Sequence, residues 1–208
     1  MDFKNSGVFL LEDRDFECLE WIEAYELTLE LCAKLREDGF EPSLIVGISR
    51  GGLVPARIAS DFFGRDIRLT IVKVEFYSDI AKTQREPVIS EGLRVGVEGE
   101  RVLLVDDVAD TGKSLALVNS LLKERGSKEV KILTLYKKPW TIIDPDYYAR
   151  ETEAWIIFPW EVLETLDLLY EKMKAEGKEK KEIEKFLLNT GVWKKLVEFF
   201  LLKTKQFG

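Results

Sequence analysis

The chain has 208 residues, 46% of them hydrophobic, and a formal charge of −7 from 31 basic and 38 acidic side chains. That length can bury one good core with a small appendage, and the acidic balance argues against a general nucleic-acid binder. The absence of histidine excludes imidazole catalysis and histidine-ligated metal.

Leu19, Ile22, Ala24, Leu27, Leu31 and Leu35 recur at helical spacing and predict a helix over residues 16–38, with Gly39 as its terminator. Leu44-Ile-Val-Gly-Ile48 reads as a short buried strand. It runs into the turn Ser49-Arg50-Gly51-Gly52 and then a helix from Pro55 to Phe63, with proline near the start where it is tolerated. Residues 69–74 give the next strand. Residues 77–97 are mostly polar and aperiodic, punctuated by Pro87, Gly92 and Gly96. They predict a long functional loop or a pair of weak hairpin strands, and the two readings are compatible.

Arg101-Val-Leu-Leu-Val-Asp-Asp-Val-Ala-Asp-Thr-Gly-Lys-Ser114 follows. Its apolar run, Val102 to Val105, reads as a strand buried on both faces that stops on Asp106 and Asp107. Asp110 opens a turn to Ser114, and Leu115, Leu117, Val118, Leu121 and Leu122 predict the helix behind it. Val130 to Leu135 is another strand, running into Tyr136-Lys137-Lys138-Pro139-Trp140. Tyr147-Tyr148 and Trp155-Ile-Ile-Phe158 read as two shorter strands. From Val162 the pattern turns to amphipathic helices broken by Gly177 and a lysine/glutamate run.

Strands alternating with helices predict an α/β fold, a doubly wound and mostly parallel sheet over residues 1–161, with a helical carboxyl-terminal extension over 162–208. Cys18 and Cys32 have no metal-like spacing and read as reduced, buried thiols. Met1-Asp-Phe-Lys-Asn-Ser-Gly7 carries no signal-peptide pattern, and no stretch is long and apolar enough to span a membrane. The expectation is a cytoplasmic protein with no membrane partner.

Gly112-Lys113-Ser114 invites a triphosphate-binding P-loop, but that motif needs glycine where Asp107 stands. A carboxylate there would repel the phosphate chain. The duties separate instead. One terminal phosphate fits Asp110 to Ser114, held by backbone N–H groups and the Thr111 and Ser114 hydroxyls. Asp106 and Asp107 are acceptors suited to two vicinal ribose hydroxyls or to waters on Mg²⁺. Together these describe a ribose 5-phosphate.

Val102 to Leu115 resembles the phosphoribosyl-pyrophosphate (PRPP) motif of the type I phosphoribosyltransferases, closest to the short microbial and archaeal xanthine–guanine and hypoxanthine enzymes. Ser49-Arg-Gly-Gly-Leu-Val-Pro55 resembles their pyrophosphate loop, and Gln84-Arg85-Glu86 a segment of their mobile catalytic loop. Lys138-Pro139 and Trp155 to Glu161 resemble their purine-recognition segments.

The resemblance implies a small hood beside the carboxyl ends of the strands. It also implies a reaction in which N9 of a 6-oxopurine displaces Mg-pyrophosphate from C1′ of PRPP. It assigns Asp106 and Asp107 to ribose and, through water, to the Mg²⁺ shell, and Asp110, Thr111, Gly112, Lys113 and Ser114 to the 5′-phosphate. Arg50, Gly51 and Gly52 would grip pyrophosphate, with Arg85 arriving on the loop. Asp110 would also face purine N7, Lys138 would donate to O6, Trp155 would stack on the base and the Ile156 backbone would read its edge. A homodimer or homotetramer is expected on the same ground. A second reading is a non-catalytic PRPP or nucleotide sensor on the same fold, which the added helices keep open.

Overall fold

A computed structural model of the chain describes residues 15–77 and 86–207. These fall into two compact units, residues 22–153 and a second made of 15–21 with 154–207.

The first described element is a short strand, β1 (Phe16–Cys18), and the helix α1 (Trp21–Glu37) follows. The predicted helix therefore starts five residues late. Phe16 to Cys18 find backbone partners in a later strand, and that pairing overrides the local helical spacing. Gly39, at φ +81°, ends the helix as expected.

The first unit then continues through β2 (Leu44–Ser49), α2 (Leu53–Phe63), β3 (Arg68–Tyr77), β4 (Glu86–Glu91) and β5 (Arg101–Ala109). It closes with α3 (Lys113–Glu124), β6 (Glu129–Lys137) and β7 (Tyr147–Glu151). The strands form one sheet in the order β4-β3-β2-β5-β6-β7, parallel throughout except for antiparallel β4. Of the predicted loop 77–97, residues 86–91 are this edge strand, and 78–85 lie outside the described residues.

Each face of the sheet is covered. Leu44, Val46, Val102 and Leu104 share a core with Leu115, Val118 and Leu122 of α3. On the opposite face Gly47 lets α2 come close: a Cβ there would lie 3.0 Å from Ala56 Cβ and 3.2 Å from Ile71 Cδ1. Val102 to Val105 are fully buried, as the apolar run predicts.

The strand does not stop at Val105, however. It carries Asp106 to Ala109 because β6 runs on beside it, pairing Asp106 with Thr134, Val108 with Tyr136 and Ala109 with Lys137. The acids are thus part of a strand, not of the turn that follows it.

From β2 the chain moves outward to β3, then returns to lay β5 on the other side of β2. That reversal makes the carboxyl ends of β2 and β5 the crevice where open α/β sheets take ligands.

In the second unit β1 lies parallel to β8 (Trp155–Ile157), with Phe16 opposite Trp155 and Cys18 opposite Ile157. Three helices complete it, α4 (Val162–Ala175), α5 (Lys180–Leu188) and α6 (Lys194–Phe207). Ile157 packs with Leu166, Leu169, Met173, Ile183, Leu187, Val197 and Phe200, and Phe16 and Cys18 pack against that core. The helices expected as an extension from residue 162 therefore share their core with β1 and β8. Glu179 and Glu182 form a capping box at the start of α5. No helix among the described residues is long and apolar enough to cross a membrane.

Candidate active site

Arg50, Gly51 and Gly52 form the turn between β2 and α2. The Ser49–Arg50 peptide is cis. Gly52 N–H donates to the Ile48 carbonyl at 2.9 Å, and Leu53 N–H to the Arg50 carbonyl at 3.1 Å, which folds the turn into the helix. Both glycines are required by close approach. A Cβ on Gly51 would lie 2.2 Å from Asp107 Oδ2, and one on Gly52 would lie 2.3 Å from the Val105 carbonyl oxygen. The turn and the acid pair, separated by more than fifty residues in sequence, are thus pressed together at the strand-order reversal.

Asp107 is only 7% exposed and lies against Gly51. Its backbone N–H donates to Asp106 Oδ1 at 3.0 Å. Consecutive strand residues face opposite sides of a sheet, so the two carboxylates are presented in different directions.

The turn after β5 holds Asp110 to Ser114. Gly112 has φ +75° and precedes α3 as its N-cap, where no side chain caps the helix. Any other residue would be strained there, and its Cβ would also lie 2.5 Å from Thr141 Oγ1. Lys113 N–H donates to Thr111 Oγ1 at 3.4 Å, and the rest of the first turn of α3 offers backbone N–H groups and the positive end of a helix dipole, a setting that suits phosphate. Thr111 is exposed and Ser114 half-buried. Lys113 Nζ pairs with Glu86 at 3.3 Å.

The segment after β6 runs alongside this turn. Lys138 N–H donates to the Ala109 carbonyl at 3.0 Å, and Ile142 N–H to the Thr111 carbonyl at 3.1 Å. Between them Trp140 Nε1–H donates to Asp110 Oδ1 at 3.0 Å. Residues 138, 140 and 142 are therefore tied in step to 109, 110 and 111.

The two adjacent lysines differ in their surroundings. Lys137 is spent on the surface, 2.8 Å from Asp144, 3.2 Å from Glu151 and over the Tyr148 ring. The hydrogen bond to Asp144 holds its pKa above the usual lysine value. Lys138 is buried, 7% exposed, with Nζ 5.7 Å from the Trp140 ring centroid.

Sequence reasoning passed over Trp140. The signal available was its place directly after Lys138-Pro139, but an aromatic in a turn has no periodicity to mark it.

Trp155 and Ile156 belong to the second unit, on β8. Trp155 is half-buried and its backbone N–H donates to the Asp15 carbonyl at 2.9 Å, while Ile156 is buried. Gln84 and Arg85 lie outside the described residues. Burial pushes the Cys32 thiol up to about 12 and the Cys18 thiol up to about 11, so neither offers a thiolate near neutral pH.

A phosphoribosyl transferase domain model matches residues 19–164. The chain belongs to the phosphoribosyltransferase family. Its matched span holds the turn at Arg50, the acids of β5 and the Lys138 segment, and leaves most of α4 and all of α5 and α6 outside.

The relatives include the xanthine-guanine phosphoribosyltransferase of Idiomarina loihiensis, 32% identical over 148 residues, covering 69% of this chain and 86% of that protein. The xanthine-guanine phosphoribosyltransferase of Cereibacter sphaeroides is 35% identical over 122 residues, covering 57% and 68%. Among solved structures, a purine phosphoribosyltransferase from Pyrococcus horikoshii is 43% identical with a TM-score of 0.64, covering 70% of this chain and 93% of that one. As a family member the chain is a transferase of phosphoribosyl groups.

Proposed function

We propose that the protein transfers the 5-phosphoribosyl group of PRPP to N9 of a 6-oxopurine, hypoxanthine, guanine or xanthine, and releases pyrophosphate. The observation that carries this reading is the contact of Asp107 with Gly51. It joins an acid suited to ribose hydroxyls to a glycine turn suited to pyrophosphate, beside a helix N-terminus suited to the 5′-phosphate. The names of the relatives support the purine, and the regulatory reading is not favoured beside them.

In this reaction the C1′–O bond to pyrophosphate breaks as the N9–C1′ bond forms, and positive charge develops on the ribose ring. The protein's work is positioning, neutralising the leaving group and excluding water. Asp106 and Asp107 would hold the ribose hydroxyls. Thr111, Gly112, Lys113 and Ser114 would hold the 5′-phosphate, and Arg50 with the Gly51 and Gly52 backbone would hold pyrophosphate. Asp110 would accept the purine proton at N7, and Lys138 would donate to O6, an acceptor that adenine lacks. The roles given to Trp155, Ile156 and Arg85 rest on the sequence resemblance alone.

Mg²⁺, when bound with PRPP, supplies charge neutralisation to the pyrophosphate. The donor chemistry fits such an ion, since Asp106 and Asp107 offer hard carboxylate oxygens beside the phosphate turn. These carboxylates would hold it together with waters and the substrate phosphates, the usual manner of holding Mg²⁺.

We further propose a cytoplasmic homodimer or homotetramer. Both cysteines are free thiols, the state a reducing compartment maintains, and the assembly rests on the resemblance. The deciding experiment is product formation from PRPP and Mg²⁺ with each base in turn. Nucleoside monophosphate is expected from at least one 6-oxopurine and not from adenine. No product with any of the three would overturn the reading.

A further inference from the structure

Trp140 is half-exposed, at 52%, yet it is held by two polar contacts. An indole has one donor and no acceptor, and here that donor is spent on Asp110 Oδ1 at 3.0 Å. Its ring face lies 5.7 Å from the ammonium of Lys138, within the range in which a cation is drawn to an aromatic quadrupole. Its backbone position is set by the neighbouring pairs, Lys138 to Ala109 and Ile142 to Thr111. So one side chain, itself outside the apolar core, connects the acid of the phosphate turn to the buried lysine after β6.

We propose that Trp140 is a positioning residue for base recognition: its indole N–H orients the Asp110 carboxylate while its ring holds the Lys138 ammonium. This rests on the reading of Asp110 and Lys138 as the groups that meet the purine. With Oδ1 engaged by the indole, Oδ2 is left as the acceptor for an incoming N–H. The ring face beside its ammonium adds to the burial that already limits the Lys138 rotamers, and so helps pre-set the group for a carbonyl. Both effects reach side chains that meet the base and leave the backbone N–H groups of the phosphate turn in place, so the signature is a change in the KM for the base with the KM for PRPP nearly unmoved.

The contact itself is read without turnover. The chain has five tryptophans, so the ¹⁵N-indole spectrum of the labelled protein assigns Trp140 as the resonance lost in Trp140→Phe. That resonance should move in Asp110→Ala. If it stays in place, the orienting contact does not exist in solution and the proposal falls.

Kinetics then test the consequence. Trp140→Phe keeps the ring and removes the donor, and should raise the KM for the base about fivefold, as for the loss of one hydrogen bond. Trp140→Leu removes both contacts and should raise it by about a further factor of five, with the KM for PRPP within about twofold in each variant. Adding Trp140→Phe to Asp110→Ala should cost nothing more, because the partner is already gone. An unchanged base KM in Trp140→Phe, equal rises for base and PRPP, or additive losses in the double variant would each overturn the positioning role. Failure of the parent protein to make nucleotide from any 6-oxopurine is a different result, and overturns the functional reading on which the role rests.

Discussion

The two ends of the main sheet's strands arrange charge differently. At the amino end, acids and bases are matched within the protein. Glu100 accepts from Ser43 and pairs with Arg68; Arg101 pairs with Glu129 at 3.2 Å and covers the Phe40 ring; Lys131 pairs with Asp146 at 2.9 Å. At the carboxyl end, Asp106, Asp107 and Asp110 come from one five-residue stretch. Gly51 lies against Asp107 of that stretch, and Gly112, just beyond it, lies against Thr141 and Ile143. Gathering like charges and narrowing the backbone around them works against folding stability. Such an arrangement is kept where it serves a site. The amino end holds the sheet together, and the carboxyl end is shaped for something that binds it.

The sharpest way to break this contrast is Gly51→Ala. The added methyl would meet a buried carboxylate at 2.2 Å, so Asp107 must move by roughly an ångström, a displacement that can cost about 100-fold in rate. We expect kcat/KM for PRPP to fall by about that factor, while the melting temperature falls by only about 2–4 °C, since one short side chain is displaced and no core is opened. Kinetics at varied PRPP alongside thermal melts check both. Near-normal activity would mean that the close approach is incidental.

A smaller effect separates the adjacent lysines. Lys138→Met, which keeps the buried stem and removes the charge, should raise the KM for the base about tenfold, as for the loss of a charged hydrogen bond. Lys137→Met should change it by less than about twofold, because Lys137 serves surface pairs with Asp144 and Glu151. Comparable effects at both positions would remove the distinction drawn from their surroundings.

Much of this architecture is legible in the residues. The alternation of apolar runs and helical spacing predicts the doubly wound sheet, and Val102 to Val105 identify its buried strand because four consecutive apolar residues have no solvated face. Asp107 and the Asp110 turn can be chosen from chemistry, Gly51 and Gly52 only through the family resemblance, and the structure sets Gly51 against Asp107 and Gly52 against the Val105 carbonyl.

What the residues do not announce is decided by partners distant in sequence. Phe16 to Cys18 read as helix until β8 lies beside them. Asp106 to Ala109 read as the end of a strand until β6 extends their ladder. Trp140 has no pattern at all, and its part emerges only from the distance between its indole and Asp110. The helices after Val162 look like an appendage because their shared core with β1 and β8 is likewise assembled from separated segments.

The smallest expected effect lies at the amino end and tests its purely structural character. Hydrogen bonding from Ser43, reinforced by Arg68, lowers the Glu100 pKa from its ordinary value of 4.5. A carboxylate with a depressed folded-state pKa contributes stability above its unfolded pKa and loses that contribution as pH falls through the folded value. Its side chain is 25% exposed, so the contribution is that of a partly solvated pair, about 1 kcal/mol or less. Glu100→Gln should therefore melt slightly below the parent near pH 7, and the difference should close as pH falls below 4.5. Neither the KM for PRPP nor that for the base should move. A gap that persists in acid would assign the effect to packing instead of charge. A loss of activity like that of Gly51→Ala would erase the division of labour between the two ends.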